Sequence, residues 1–138
     1  SFPNECCGWL TGKKDSYIAN GVRRAVNAYG TKIHPTAKDR TPQTAFVISD
    51  KDLLALNQTL EDEIRPLIIY HSHPNGRAYF SETDRKNAVD PWGTGPAYPV
   101  QQIVIGINND RIVEARQFAW DTELEDFIEI ATFEGADI

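Results

Sequence analysis

Two histidines, a serine and an aspartate stand at a spacing that can do metal chemistry. His71 and His73 flank Ser72, and after seven intervening residues come Ser81, Glu82, Thr83 and Asp84. Residues two apart on a strand project from the same face, so the imidazoles of His71 and His73 can share one divalent ion. Ser81 and Asp84, three apart at a helix start, lie on one side of that helix. A turn over Pro74, Asn75 and Gly76 can fold this helix back against the strand and bring Asp84 up as a third, anionic ligand. Two histidines, a carboxylate and a water make an open zinc site, and zinc lowers the pKa of its water to about 7. The chemistry is then hydrolysis at neutral pH. Plainer readings compete with this one. An HxH pair by itself is a weak signal, and Ser81 with Asp84 is also a complete capping box. His34, the remaining histidine, stands in a polar loop and reads as a surface residue.

Elements must hold these groups in place, and the chain supplies them. The run Cys6–Gly12 is apolar and ends at a glycine, as a buried strand would. Asn20-Gly21 lies between short extended pieces from Tyr17 to Val26 and reads as a hairpin turn. Residues 30–43, with Gly30, Pro35 and Pro42, form a loop. Phe46-Val47-Ile48 is a strand. Ser49 with Asp52 then opens a helix of about three turns, with Leu53, Leu54, Leu56, Leu60 and Ile64 as its apolar face and Pro66 as its stop. Leu67–Tyr70 is continuously apolar, as a strand covered on both faces would be, and runs into His71. Ser81 starts the second helix. Residues 90–99 are a Pro/Gly/aromatic loop. Val100–Ile107 and Arg111–Trp120 read as strands joined at Asn108-Asn109-Asp110, and Phe127–Phe133 alternates as a last strand. Strands and helices interleave, so the class is α/β or α+β, with helices on a mixed sheet.

Composition bounds the rest. The chain has 138 residues, the size of one domain. Lys and Arg number 14 against 20 Asp and Glu, a net charge of −6. Sequence-blind nucleic-acid binding needs a positive surface, so that class is disfavoured. No apolar run approaches the roughly 20 residues of a membrane span. Cys6 and Cys7 are neighbours, too strained to bridge one another and too few for a disulfide framework. A reducing, cytoplasmic compartment is expected, with both thiols packed in or near the first strand. The absence of any methionine, including at position 1, reads as a processed or trimmed chain.

At the chemical residues the sequence resembles the JAMM (MPN+) metalloprotease family, in its bacterial form. His71, Ser72, His73, Pro74, Ser81 and Asp84 match the family's signature position by position. The family's upstream glutamate matches Glu5, in PNECCGWLTG, and the PAYP piece Pro96–Pro99 resembles a loop of bacterial members. The likeness runs from Pro3 to about Ile107. It implies one MPN-type domain over residues 1–138, with a mixed, curved β-sheet flanked by helices in a cytidine-deaminase-like architecture. It implies one Zn²⁺ held by His71, His73 and Asp84, with Glu5 moving the proton and Ser81 stabilising the oxyanion. Trp92, Tyr98 and Tyr79 are candidates to line a substrate groove. A helix ahead of Glu5 is also implied; with four residues before Glu5 in this sequence, that helix is expected to be either removed or replaced elsewhere.

The implied activity is hydrolysis of the peptide or isopeptide bond after the C-terminal Gly-Gly of a ubiquitin-like or sulfur-carrier protein. Only glycines let an extended backbone pass close to a metal. Two alternatives stand beside it: a cell-wall or phage-type peptide hydrolase, and a metal-free MPN scaffold that only binds partners. A zinc deaminase would need an HxE and a PCxxC, and the chain has neither.

Overall fold

The computed structural model describes residues 4–16, 18–28 and 48–137. The expected 30–43 loop with His34, as well as Tyr17, Phe46 and Val47, lies outside the described residues. The elements in chain order are β1 (Cys7–Lys13), β2 (Gly21–Ala25), α1 (Asp50–Thr59), β3 (Ile64–His73), α2 (Glu82–Ala88), β4 (Gln101–Ile107), β5 (Arg111–Asp121) and β6 (Asp126–Asp137). The strands form one sheet in the order β2-β1-β3-β4-β5-β6. β3 and β4 run parallel, joined through α2, and the remaining neighbours are antiparallel. The class is therefore α+β with a mixed sheet. Register shifts interrupt β1 at Leu10/Thr11, β4 at Gly106/Ile107 and β5 at Gln117/Phe118. Each such irregularity bends its strand and increases the local twist, which curves the sheet.

Both helices cover one face of the sheet. Trp9 pairs with Ile69, Ile69 with Gln102 and Gln102 with Phe118, so these residues share a face. Under α1, Trp9, Leu56, Ile69 and Val100 form a buried cluster. Under α2, Ala78, Phe80, Ala88, Val104, Phe118 and Phe127 form another. Arg85 clamps α2 to the far end of the sheet by ion-pairing Asp126 and donating to the Phe127 carbonyl at 3.0 Å. His71 and His73 continue the row that starts at Ile69, so they stand on the covered face.

Several expectations need correction. The first hairpin joins β1 to β2 through residues 14–20, so Asn20-Gly21 opens β2 and does not form the turn. α1 stops at Thr59, whose hydroxyl donates back to the Ala55 carbonyl at 2.8 Å. Arg65 then donates to the carbonyls of Glu61 and Asp62, fixing the turn. Leu54 is 59% exposed, and Ile64 belongs to β3, so the apolar face of α1 rests on Leu53, Leu56 and Leu60. Pro66 does not end a helix. It sits inside β3, opposite Thr11 at the β1 irregularity and before β4 begins to pair at Ile68. A residue with no N–H is tolerated where the ladder is irregular and one side lacks a partner. Within Leu67–Tyr70 only Ile69 is buried, with Leu67, Ile68 and Tyr70 half-buried, while His71, Ser72 and His73 at the end of β3 are all buried. The last strand runs well past Phe133, to Asp137.

Candidate metal centre

The centre forms where β3 ends and α2 begins. His71 and His73 occupy the last turns of the pleat in β3, and the tight turn after them is closed by Gly76, at φ +79°. Ser81 is the N-cap of α2: its hydroxyl accepts from Asp84 N at 3.0 Å, and Asp84 Oδ2 accepts from Ser81 N at 3.0 Å. This reciprocal box turns the Asp84 carboxylate back toward the sheet. There Asp84 Oδ2 lies 3.1 Å from His71 Nε2 and 3.3 Å from His73 Nε2, and the two nitrogens are 3.1 Å apart. All three side chains are buried.

Glu5 reaches the same spot from just ahead of β1. The Asn27 side-chain amide donates to the Glu5 carbonyl at 3.0 Å. Ser72, on the opposite face from the histidines, holds the next residue: its hydroxyl accepts from Cys6 N at 2.8 Å, and its own N donates to Cys6 O at 3.0 Å. Glu5 is 4% exposed, and one of its carboxylate oxygens lies within 4.8 Å of the ligand nitrogens of His71 and His73. The anchoring roles of Ser72 and Asn27 were not readable in the sequence. They depend on a pairing between β1 and β3 that no local pattern announces.

The tautomer of His73 follows from its neighbours. Nδ1 lies 3.0 Å from the Arg77 carbonyl, which can only accept, so Nδ1 carries a hydrogen and Nε2, the nitrogen facing Asp84, is the one that can give up its proton to a metal. Burial pushes Asp84 up, but hydrogen bonds from His71 and His73 outweigh it and hold the carboxyl far below the usual range. Burial lowers His71. Burial acts the same way on His73, where Asp84 outweighs it and raises the imidazole above its ordinary value. Asp84 therefore stays anionic beside two nitrogen donors.

The donor set fits a divalent ion. Tetrahedral zinc with ligands at roughly 2.0–2.1 Å sets neighbouring ligand atoms about 3.3 Å apart. The three atoms here form a triangle with edges of 3.1, 3.1 and 3.3 Å. A carboxylate oxygen of Glu5 lies within 4.8 Å of the ligand nitrogens of both histidines. A buried Glu5, His71 and His73 group of this kind could itself hold a metal ion.

The aromatic candidates separate. Tyr98 lines a cavity of about 220 Å³ whose wall includes His71, Asp84, Leu53, Ile69 and Phe80. Tyr79 packs against the His73 ring at 4.8 Å. Trp92 is 82% exposed and is not among the residues lining that cavity. Cys7 is buried in β1 opposite His71, and burial pushes its thiol up to about 12, which makes it an inert packing residue. Among the described residues, no helix is long and apolar enough to cross a membrane.

Comparison with known proteins places this geometry in a family. Residues 1–121 match the family of prokaryotic homologs of the JAB domain, so the match ends just before β6. No curated protein matches the sequence significantly. Among solved structures, the fold is similar to the solution structure of a protein from Salinibacter ruber. That alignment has a TM-score of 0.56 and 20% identity, covering 96% of this chain and 79% of that one. It is also similar to a protein from Desulfitobacterium hafniense, with a TM-score of 0.52 and 22% identity over 94% of this chain and 77% of that one. At these identities the two neighbours speak for the fold alone. The match over most of its length makes this chain a member of the prokaryotic JAB family, of the JAMM/MPN type.

Proposed function

We propose that residues 1–138 act as one zinc-dependent metallopeptidase domain. It would cleave the peptide or isopeptide bond after the C-terminal Gly-Gly of a ubiquitin-like or sulfur-carrier protein. The observation that carries this reading is the convergence of Glu5, His71, His73 and Asp84 in one buried spot beside an open cavity. His71, His73 and Asp84 hold the metal in this reading. A zinc ion bound there supplies an activated water and polarises the scissile carbonyl. Glu5, with a carboxylate oxygen within 4.8 Å of both histidine nitrogens, takes the proton and returns it to the leaving amine. The Ser81 hydroxyl accepts from Asp84 N with a lone pair, which leaves its hydrogen to donate to the oxyanion. The cavity between α1 and α2 receives the extended tail, with Tyr98 on its wall.

The test compares wild type, His71→Ala and Glu5→Gln. Wild type reconstituted with zinc should hold one ion per chain and cleave a ubiquitin-like protein extended past its Gly-Gly end. His71→Ala should lose the ion. Glu5→Gln should keep the ion and lose turnover. A wild type that holds no zinc points to the partner-binding scaffold instead. One that holds zinc yet cleaves only cell-wall peptides moves the substrate to that class.

A further inference from the structure

We infer that Glu114, on β5, is a positioning residue for the metal centre, acting on His73 through a single shared peptide group. The inference rests on the proposed metal site for its function and on hydrogen bonds for its geometry. The peptide between Arg77 and Ala78 is gripped at both ends. Its carbonyl accepts from His73 Nδ1 at 3.0 Å, and its N–H donates to Glu114 Oε2 at 2.8 Å. A carboxylate on the N–H end polarises the amide and makes its carbonyl a stronger acceptor. That strengthens the bond which keeps a hydrogen on Nδ1 and leaves Nε2, facing Asp84 and His71, as the ligand nitrogen. Histidine ligands commonly hand their second N–H to a carboxylate or a carbonyl, which fixes tautomer and ring orientation. Here the two arrangements are joined in series.

The sheet is shaped to permit this. His73 pairs with Gly106, and Gly106 pairs with Glu114, so the three stand in one row across β3, β4 and β5. The loop after β3 crosses directly over the middle of that row. A Cβ on Gly106 would lie 2.5 Å from the Gly76 carbonyl atoms and 2.7 Å from Arg77 N. Only a residue without a side chain leaves room for the loop to lie between the histidine and the glutamate. Glu114 is held in turn: Arg116 Nη2 lies 3.5 Å from Glu114 Oε1, and Arg116 Nη1 lies 3.1 Å from Glu129 Oε1. One carboxylate oxygen thus takes the guanidinium and the other takes the peptide.

The experiment reads two signals in Glu114→Ala, Glu114→Gln and Glu129→Gln. The first is zinc affinity by chelator competition. Outer-shell partners are typically worth 10–100-fold in affinity, and one peptide farther out Glu114→Ala should weaken zinc about 10-fold. Glu114→Gln keeps an oxygen acceptor without the charge and should lose roughly 3-fold, a partial rescue that a purely structural role would not require. Glu129→Gln, two contacts away, should stay within about 2-fold of wild type. The second signal is the His73 tautomer in the metal-free protein, read from two-bond ¹⁵N–¹H correlations at alkaline pH. Wild type should show Nδ1–H, and Glu114→Ala should show a mixture. Zinc affinity and His73 signals unchanged in both Glu114 variants would overturn the inference. A wild type that binds no zinc would overturn the metallopeptidase reading alone, because the tautomer still tests the link from Glu114 to His73.

Discussion

Two helices of this protein begin in the same way and end up doing different things. Ser49 caps α1 and Ser81 caps α2, and in both the serine hydroxyl accepts from the N–H of an aspartate three residues on. Asp52 in α1 is 7% exposed and Asp84 in α2 is 8% exposed, so neither is a surface carboxylate. What differs is the strand each one meets. Asp52 faces β2 and its continuation: it accepts from Ser49 Oγ at 2.6 Å, from Val26 N at 2.9 Å and from Arg23 Nη2 at 3.0 Å. Every partner is a donor: Arg23 and Val26 lock the helix to the sheet edge, and Ser49 closes the helix's own cap. Asp84 faces β3 and meets two imidazole nitrogens that can also offer lone pairs. The same capping signature therefore builds a strut at one place and a ligand at the other. The strand opposite decides which.

The largest effect expected from this contrast is on metal binding. Asp84→Asn keeps the volume of the side chain but removes the anionic donor. Zinc affinity should fall beyond the roughly 100-fold that loss of an outer-shell partner reaches. Asp52→Asn should leave zinc affinity unchanged and lower stability by about 1–3 kcal/mol, through weakened bonds to Arg23, Val26 and Ser49. Zinc titration and urea unfolding on both variants separate the two. Equal loss of metal in both would erase the distinction drawn here.

The caps themselves give a sharper version. Ser49→Ala and Ser81→Ala each remove an N-cap and should each destabilise by about 1 kcal/mol. Only Ser81→Ala should also slow cleavage, by about 10²–10³, if its hydroxyl serves the oxyanion. Equal turnover in the two variants would reduce Ser81 to a cap.

The parity of His71-Ser72-His73 and the three-residue step from Ser81 to Asp84 were legible because they are local: strand and helix periods fix them without knowledge of the fold. The same holds for the strand at Cys7–Lys13 and the turn at Asn108–Asp110. What could not be read locally was pairing. Pro66 looks like a helix stop until β1 is seen to be irregular opposite it. Nothing near Glu114 announces chemistry; it reaches His73 only because β4 places Gly106 between them. Asp52 and Asp84 carry the same capping signal, and only the histidines upstream of Asp84 marked it as a ligand; the tie from Asp52 to β2 was out of reach. The histidines facing Asp84 were visible, whereas the donors facing Asp52 come from a strand whose hairpin turn was misplaced by the Asn20-Gly21 signal.

The smallest expected effect tests whether Asp52 is the strut described. Desolvation by burial pushes its carboxyl up, but the bonds from Ser49, Val26 N–H and Arg23 outweigh it and hold it below the ordinary value of 3.8. A carboxyl with a lowered pKa in the folded state binds fewer protons there than in the unfolded chain between the two pKa values. Its stabilisation is fully present above the unfolded value, near 3.9, and is lost as pH falls through the folded one. Wild type should therefore be more stable than Asp52→Asn at pH 6, and the gap should close progressively below about pH 4. The measurement is urea unfolding of both proteins across that range, in the metal-free form so that Asp84 sees the same conditions in each. Subtracting the two curves cancels Asp84, Asp90 and Glu114, which titrate in both. A gap that stays constant down to pH 2 would mean that Asp52 holds α1 through shape and neutral hydrogen bonds, with no contribution from its charge.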